Sequence, residues 1–182
     1  DPYYFENEYE QYSGESAITG RYVYNMSVSN VRIVNPVSNG LELRGAFGGD
    51  VDGLEVTGAH NKGGEGNGYG LYLAETFYGN FENLTMTDVR HAVVFSSWSA
   101  EIGNNVHVLW TNRDINYHGS PDHSNTVLVD RVEYDAGSDR AWPVVGTGSV
   151  MHPWTDIHDN TTLFRYAQGS FKDEEIVAQD GG

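Results

Sequence analysis

Short segments in which apolar and polar residues alternate recur along the chain at a nearly constant spacing. The first set of segments comprises residues 30–35, 53–58, 83–88, 105–110 and 126–131. The second set comprises residues 40–45, 70–75, 92–97 and 114–119. Their starts step by 23, 30, 22 and 21 residues in the first set and by 30, 22 and 22 in the second. Alternation with a period of two predicts strands that bury one face.

The constant step decides between two all-β architectures. Two short strands in each step of about 22 residues, separated by turns rich in Gly, Asn and Asp, are typical of a solenoid. A sandwich of hairpins would show no constant step and more two-residue turns. The Gly-rich insertion at residues 58–70 accounts for the step of 30 in both sets. We therefore predict an all-β protein, a right-handed parallel β-helix of about five to six rungs.

Stacked rungs predict ladders of apolar side chains that face inward. In one sheet the predicted ladders are Leu41, Leu71, Val93, Ile115 and Leu43, Leu73, Phe95, Tyr117. In the other sheet they are Val31, Leu54, Leu84, Val106, Val127 and Ile33, Val56, Met86, Val108, Val129. All ten positions of this second group are aliphatic or Met, which favours the assignment.

The two ends of the chain lack this regular alternation. Residues 1–27 are predicted to form an acidic, aromatic extension or cap, residues 28–150 the β-helix, and residues 151–182 a C-terminal strand and tail. Within these segments, residues 141–150 predict another rung and residues 161–168 a last strand. Because the chain does not begin with Met, we expect a processed product or part of a longer protein.

The charge of the chain limits its partners. Acidic residues number 26 against 10 Lys and Arg, so the formal net charge is −16. Such a surface repels nucleic acid and anionic membranes. Membrane insertion is not expected, since no apolar run approaches the roughly 18 residues it requires. We expect either a protein adapted to high salt, which screens the self-repulsion, or an acidic extracellular domain.

The segment RDINYHGSPDHSN, residues 113–125, holds most of the candidate chemistry. If its apolar residues face inward, Asp114, Asn116 and His118 point outward in one row. A step of 22 residues keeps apolar residues on apolar residues and is preferred. The alternative step of 23 residues places His91 beside Asp114 and buries Asn116 and His118 unless a bulge intervenes.

We predict that this outward row lies in a shallow trough suited to a sugar chain, with an aromatic wall and a few polar groups. Neighbouring rungs and the adjoining turns supply the rest of the trough. The predicted substrate-binding residues are Tyr72, Arg44, Glu42, Arg90, His91, Asn116, Asp122 and His123.

The same row offers an acid and a base. Asp114 and His118 lie two residues apart on one face, with Arg113 beside them, so these three are the predicted catalytic residues. The alternative is a hydrogen-bonded surface pair that orders a turn. Arg90, Arg113 and Arg140 would stack into a cationic ridge for the carboxylates of an acidic polysaccharide. The alternative is that they pair with neighbouring acidic residues.

No cofactor and no metal site is predicted. The chain has no cysteine, which excludes thiolate metal sites and disulfides. Neither Asp122-His123 nor the segment MHPWTDIHD, residues 151–159, carries a zinc-binding spacing. Calcium at a turn carboxylate is the alternative. The segment GGEGNG, residues 63–68, lacks the Lys-Ser/Thr of a phosphate-binding loop.

The rung pattern over roughly residues 28–150, with RHAVVFSS (90–97) and DINYHGSPDHSN (114–125), resembles a known group of proteins. It is similar to the right-handed parallel β-helix proteins of the pectate-lyase-like superfamily. That group includes secreted polysaccharide lyases, hydrolases and epimerases, and the tail spikes and fibres of tailed viruses. The resemblance implies a polysaccharide or surface-glycan ligand and a location outside the cell, on its surface or on a virion. It also implies a homotrimer or packing against other domains. The Lys-rich and Asp-rich lyase sites of the group are not reproduced here.

Three functions follow as hypotheses. The first is an extracellular carbohydrate-binding β-helix domain, part of a larger virion tail fibre or spike or of a cell-surface adhesion protein. The second is the catalytic domain of a polysaccharide lyase or glycoside hydrolase. The third is a purely structural spacer, in which the polar row only solvates a sheet.

Overall fold

A computed structural model describes residues 16–62, 67–96, 99–118, 122–133, 145–147, 160–165 and 167–168. These residues form strands and turns without any helix, which confirms the all-β prediction. In this part of the chain, then, no helix is long and apolar enough to cross a membrane.

The described residues form fourteen strands in chain order. They are β1 (Ser16–Arg21), β2 (Ser27–Val34), β3 (Asn39–Phe47), β4 (Asp50–Thr57), β5 (Tyr69–Phe77), β6 (Asn80–Thr87), β7 (His91–Phe95), β8 (Asn105–Thr111), β9 (Ile115–Tyr117), β10 (Thr126–Val129), β11 (Val132–Glu133), β12 (Val145–Thr147), β13 (Thr161–Phe164) and β14 (Ala167–Gln168).

Successive strands from β1 to β10 alternate between two parallel sheets. Sheet A has the order β1-β3-β5-β7-β9-β12, and sheet B has the order β13-β10-β8-β6-β4-β2. The short strand β11 pairs with β8 and β14. One apolar core includes side chains of both sheets, such as Leu41 and Leu71 of sheet A and Leu54 and Val56 of sheet B. The inward face of each sheet is therefore buried against the other, as alternation with a period of two requires.

The predicted register of sheet A is confirmed. Leu41, Leu71, Val93 and Ile115 are paired from strand to strand, and so are Leu43, Leu73, Phe95 and Tyr117. The rings of Phe95 and Tyr117 stack with their centroids 4.6 Å apart. The preferred step of 22 residues between β7 and β9 thus holds within the strands.

The predicted ladders of sheet B are wrong between β6 and β8. The alternation pattern predicts Leu84 opposite Val106 and Met86 opposite Val108. A register shift around Leu84 changes these pairs and brings Phe81 into the core. A bulge adds a residue to one strand, so counting with a period of two does not locate it. The observed pairs are Phe81–Val106, Leu84–Val108 and Met86–Thr111. The predicted pairs Val31–Leu54, Ile33–Val56, Val56–Met86, Val106–Val127 and Val108–Val129 are confirmed.

The ends of the sheets extend the repeat. Strand β1, in the segment predicted as an extension, pairs with β3. Strand β12 pairs with β9 and strand β13 with β10, in agreement with the predicted further rung and last strand. Residues 1–15, and much of the predicted C-terminal segment 151–182, lie outside the described residues.

The turns that leave sheet A are also stacked on one another. Asn25, Gly48, Tyr78, Gly103 and Ser124 all have left-handed backbones, with φ between 50° and 68°. The N–H of each of the first four donates to a carbonyl in the following turn. Gly and Asn adopt this conformation readily, whereas Tyr does so at a cost. The stacking explains why Gly and Asn recur in the turns at the step of the strands.

Candidate functional site

Aromatic and polar side chains gather around β5, β7 and β9 of sheet A. We call this group the polar cluster and define it as Tyr69, Tyr72, His91, Asp114, Asn116 and His118. The strand pairing positions it, because Tyr69 pairs with His91, and Tyr72 and Asn116 both pair with Val94. The predicted catalytic Asp114 and His118 both belong to it.

The centre of the polar cluster is a buried contact between a histidine and a carboxylate. Nδ1 of His91 lies 2.8 Å from Oδ1 and 2.9 Å from Oδ2 of Asp114. These residues are 23 apart, whereas Val93 and Ile115 just beyond them pair with a step of 22. Each register weighed from the sequence therefore describes one part of this region.

The contact continues along the sheet as a chain of polar groups. Nδ2 of Asn116 lies 3.5 Å from Oδ2 of Asp114, and Nδ1 of His118 lies 2.7 Å from Oδ1 of Asn116. The rings of His91 and His118 meet edge to face at 6.5 Å between centroids. The predicted acid–base pair Asp114 and His118 is thus connected through the amide of Asn116.

Aromatic rings cover one side of this chain. The ring of Tyr69 lies 5.3 Å from that of Tyr72 and 5.5 Å from that of His91, between centroids. The hydroxyl of Tyr72 lies 2.8 Å from Oγ of Ser96, near the end of β7 on the next strand of sheet A. Tyr72 therefore reaches across the sheet and does not stand beside an open trough.

The expectation that the polar row lines an open trough is wrong. Glu42, Asp114 and Asn116 are only 2%, 0% and 8% exposed. The large side chains of Tyr69 and Tyr72 lie along this face, so the groups beside and beneath them lose access to water. Tyr72 itself is half-buried, as is His118 at the other end of the polar chain.

The predicted cationic groups are used within the fold. The Arg44 guanidinium lies 5.1 Å from the centre of the Tyr72 ring and pairs with the Glu42 carboxylate. Arg90 lies 5.9 Å from the centre of the Tyr69 ring. Arg44 is nevertheless 46% exposed, so one cation stays accessible next to an aromatic ring.

Arg113, the third predicted catalytic residue, holds a turn. Its Nε donates to the carbonyl of Val89 at 2.6 Å and its Nη1 to the carbonyl of Asn112 at 3.0 Å. A guanidinium that donates to backbone carbonyls fixes the turn before β9. Arg140, the last member of the predicted ridge, lies outside the described residues.

Asp122, predicted to bind substrate, forms a buried pair with Glu101. Oδ1 of Asp122 accepts the Glu101 N–H at 3.0 Å, and Oε1 of Glu101 accepts from Ser99 and from the Glu75 N–H, both at 2.7 Å. Burial raises the pKa of Glu101 to about 11 and that of Asp122 to about 6. The protonated Glu101 donates to the Asp122 carboxylate, which keeps one proton on the pair. His123 is exposed beside this pair.

Sequence reasoning missed several partners of the predicted residues. Tyr69 lies 22 residues before His91, and Glu101 lies 21 residues before Asp122. Extending the repeat outward from the strands into the turns would have aligned both pairs. Ser16, which donates to Glu42 at 2.5 Å, and Ser96 carry no such signal, because single serines are common in turns and at strand ends.

Within the described ranges, no three His, Asp or Glu side chains are grouped so that they could hold a metal ion. The segment of residues 151–159, considered for metal binding from the sequence, lies outside those ranges. In comparisons with known proteins, no protein-family model, curated protein or solved structure matches the chain.

Proposed function

We propose that the chain is an extracellular carbohydrate-binding domain with a right-handed parallel β-helix fold of about five to six rungs. Alternation of the strands between two parallel sheets, joined by short turns, supports a solenoid path. Right-handedness rests on the strong preference of parallel crossover connections for that hand.

The accessible part of the polar cluster is the single observation that carries the proposed ligand. The half-buried Tyr72 has Arg44 on its ring, and the half-buried His118 ends a hydrogen-bonded chain on the same sheet. A sugar offers a C–H face to an aromatic ring and hydroxyls to polar groups. Because the buried neighbours hold these side chains in place, little ordering entropy is lost on binding.

The wider assignment is part of the proposal. A net charge of −16 disfavours nucleic acid and anionic membranes as partners. We place the domain in a larger virion tail fibre or spike or in a cell-surface adhesion protein. Because an exposed solenoid end needs a cap or a neighbour, a homotrimer or packing against other domains fits this role.

A glycan array probed with the full chain in molar NaCl tests the proposal. The double variant Tyr72→Ala/His118→Ala should bind the recognised glycans about tenfold more weakly, since it removes a stacking ring and a polar contact. The variant Trp110→Ala, which removes an exposed aromatic ring from sheet B, should bind as the wild type does. A blank array with folded protein would contradict the proposal and leave the structural spacer.

The catalytic alternative has one observation in its favour. The chain His91–Asp114–Asn116–His118 joins two imidazoles through a carboxylate and an amide, an arrangement that holds a base in position. Release of reducing or unsaturated ends from anionic and neutral polysaccharides would indicate a hydrolase or a lyase. Asp114→Asn should then abolish turnover while leaving glycan binding, and no turnover by the wild type would favour the binding role.

A further inference from the structure

Four exposed aromatic side chains follow one another where the chain leaves sheet A. We call them the aromatic stripe: Tyr22, Tyr24, Phe47 and Tyr78, exposed to 88%, 72%, 48% and 60%. They lie at or just beyond the carboxyl ends of β1, β3 and β5, which are neighbours in sheet A. The Tyr24 and Phe47 rings stack at 5.9 Å between centroids, and the Tyr78 ring meets Phe47 edge-on at 5.5 Å.

Two of these tyrosines occupy backbone positions that bulky residues rarely adopt. Tyr22 and Tyr78 have φ of 53° and 56°, in the left-handed region. Such strain persists only where the surroundings enforce it, and it concentrates at functional sites. Each ring lies against a glycine, since a Cβ on Gly45 would come within 2.9 Å of Tyr22 and one on Gly103 within 2.6 Å of Tyr78. The fold thus makes room for both rings on the surface.

An open groove of about 610 Å³ adjoins the stripe. Tyr22, Phe47 and Phe77 line it with aromatic surface, and Glu75 and Ser99 add polar groups. The lining residues include one carboxylate and no Lys or Arg. The groove therefore combines ring faces with hydrogen-bonding groups and carries negative charge.

We propose that the aromatic stripe and its groove bind a neutral saccharide chain, at a site separate from the polar cluster. The inference rests on the proposed function in taking a saccharide as ligand. Pyranose C–H faces stack on aromatic rings, and their hydroxyls hydrogen-bond to carboxylate and hydroxyl groups. The rings follow the strand spacing of roughly 4.8 Å, close to the length of one sugar unit in an extended chain. The Glu75 carboxylate and the net charge of −16 disfavour an acidic sugar at this place.

The exposed area argues against a second copy of the chain as the occupant. The four side chains, at their observed exposure, offer roughly 500 Å² if fully covered, from the usual burial of aromatic side chains. A stable interface buries about 800 Å² on each partner. A row of rings at regular spacing is also a narrow strip, which suits a linear ligand.

Titration calorimetry with defined oligosaccharides tests the inference. The probes are cellohexaose and maltohexaose as neutral chains and hexagalacturonate as an acidic chain, each added to the full chain in molar NaCl. The double variant Tyr22→Gly/Tyr78→Gly removes two rings, and glycine suits the left-handed backbone at both positions. Phe47→Leu removes the middle ring but keeps an apolar side chain, in case the first variant does not fold. Trp110→Ala is the control for loss of an exposed ring elsewhere.

Weakening of neutral hexaose binding by about tenfold in the stripe variants, with Trp110→Ala unchanged, is the expected result. Neutral binding that survives in the stripe variants but is lost in Tyr72→Ala/His118→Ala overturns this inference and leaves the proposed function standing. So does exclusive binding of hexagalacturonate. A stripe-dependent dimer in sedimentation, without binding of either neutral hexaose, would instead assign the stripe to a protein interface. A wild type that binds no probe and no arrayed glycan contradicts both proposals.

Discussion

Single asparagines hold the turns between the two sheets in place. Nδ2 of Asn104 donates to Oδ1 of Asn125, and Nδ2 of Asn125 to Oδ1 of Asn160, both at 2.9 Å. The backbone N–H groups of Asn104 and Asn125 donate to the same two oxygens at 3.0 Å. All three side chains are buried, so each carboxamide satisfies backbone groups that water does not reach.

Asn125 is the middle residue of this column, and its loss should be costly. Asn125→Ala removes the acceptor for Asn104 and the donor to the carbonyl of Glu101. Leaving such buried groups without partners should lower the free energy of unfolding by about 3 kcal/mol. Urea denaturation followed by circular dichroism measures the change.

The neighbouring residue provides a matched control. Asn105 is exposed at the start of β8, so Asn105→Ala should change the free energy of unfolding by less than about 0.5 kcal/mol. Equal effects of Asn125→Ala and Asn105→Ala would show that the column does not stabilise the fold.

At the scale of strands, the alternation pattern predicts whatever the alternation itself determines. The ladders of sheet A follow from unbroken apolar spacing, and the structure confirms them. The failure in sheet B has a local cause, because the bulge at Leu84 leaves the flanking alternation intact. The left-handed turns were visible as recurring Gly and Asn, but Tyr78 in the same column was not, since its side chain disfavours that backbone.

The candidate site was harder to predict, because the sequence does not show how far side chains extend across a sheet. Asp114 and Asn116 point away from the core, as alternation requires, and are nevertheless buried. The long side chain of Tyr72 crosses to Ser96. Whether an outward residue is exposed depends on such neighbours one strand away, which a pattern of period two does not describe.

The stacked turns also contain the Glu101–Asp122 pair, which makes stability depend on pH. Burial raises the pKa of both carboxyl groups above their usual values near 4. The folded chain therefore binds more protons than the unfolded chain. The favourable contribution is complete below the usual pKa and is lost as pH rises toward about 6 for Asp122 and about 11 for Glu101.

Glu101→Gln should reduce this dependence. The amide cannot ionise, it can still accept from Ser99 and Glu75, and it can donate to Asp122. The stability of the variant relative to the wild type should rise between about pH 5 and pH 9, by at most about 1.4 kcal/mol for each pH unit. Urea unfolding at several pH values in molar NaCl gives the two slopes.

Glu55→Gln controls for the loss of one negative charge, because Glu55 lies at the surface of sheet B, where it pairs with Arg32. If Glu101→Gln and Glu55→Gln change the slope equally, net charge explains the effect and the buried pair does not.

For the whole molecule, the dominant electrostatic feature is an excess of acids that the fold only partly pairs. On sheet B, His107 lies between Glu82 at 3.2 Å and Asp130 at 3.0 Å, and Arg165 lies 2.9 Å from Asp130. With 26 acids against 10 Lys and Arg, most carboxylates have no cation available. Their mutual repulsion opposes the compact state, because folding brings them closer together.

Added salt should therefore stabilise the folded chain. Screening shortens the range of repulsion from about 10 Å at 0.1 M to about 3 Å at 1 M NaCl. A gain of about 2 kcal/mol would raise the Tm by about 4–8 °C for a chain of this size. Differential scanning fluorimetry across this range measures the shift. Because screening is nearly complete at 1 M, most of the rise should occur below that concentration, whereas exclusion of salt from the surface would continue to raise the Tm at higher concentrations. A Tm that does not rise below 1 M would show that the carboxylates do not limit stability, and it would favour an acidic extracellular domain over adaptation to high salt.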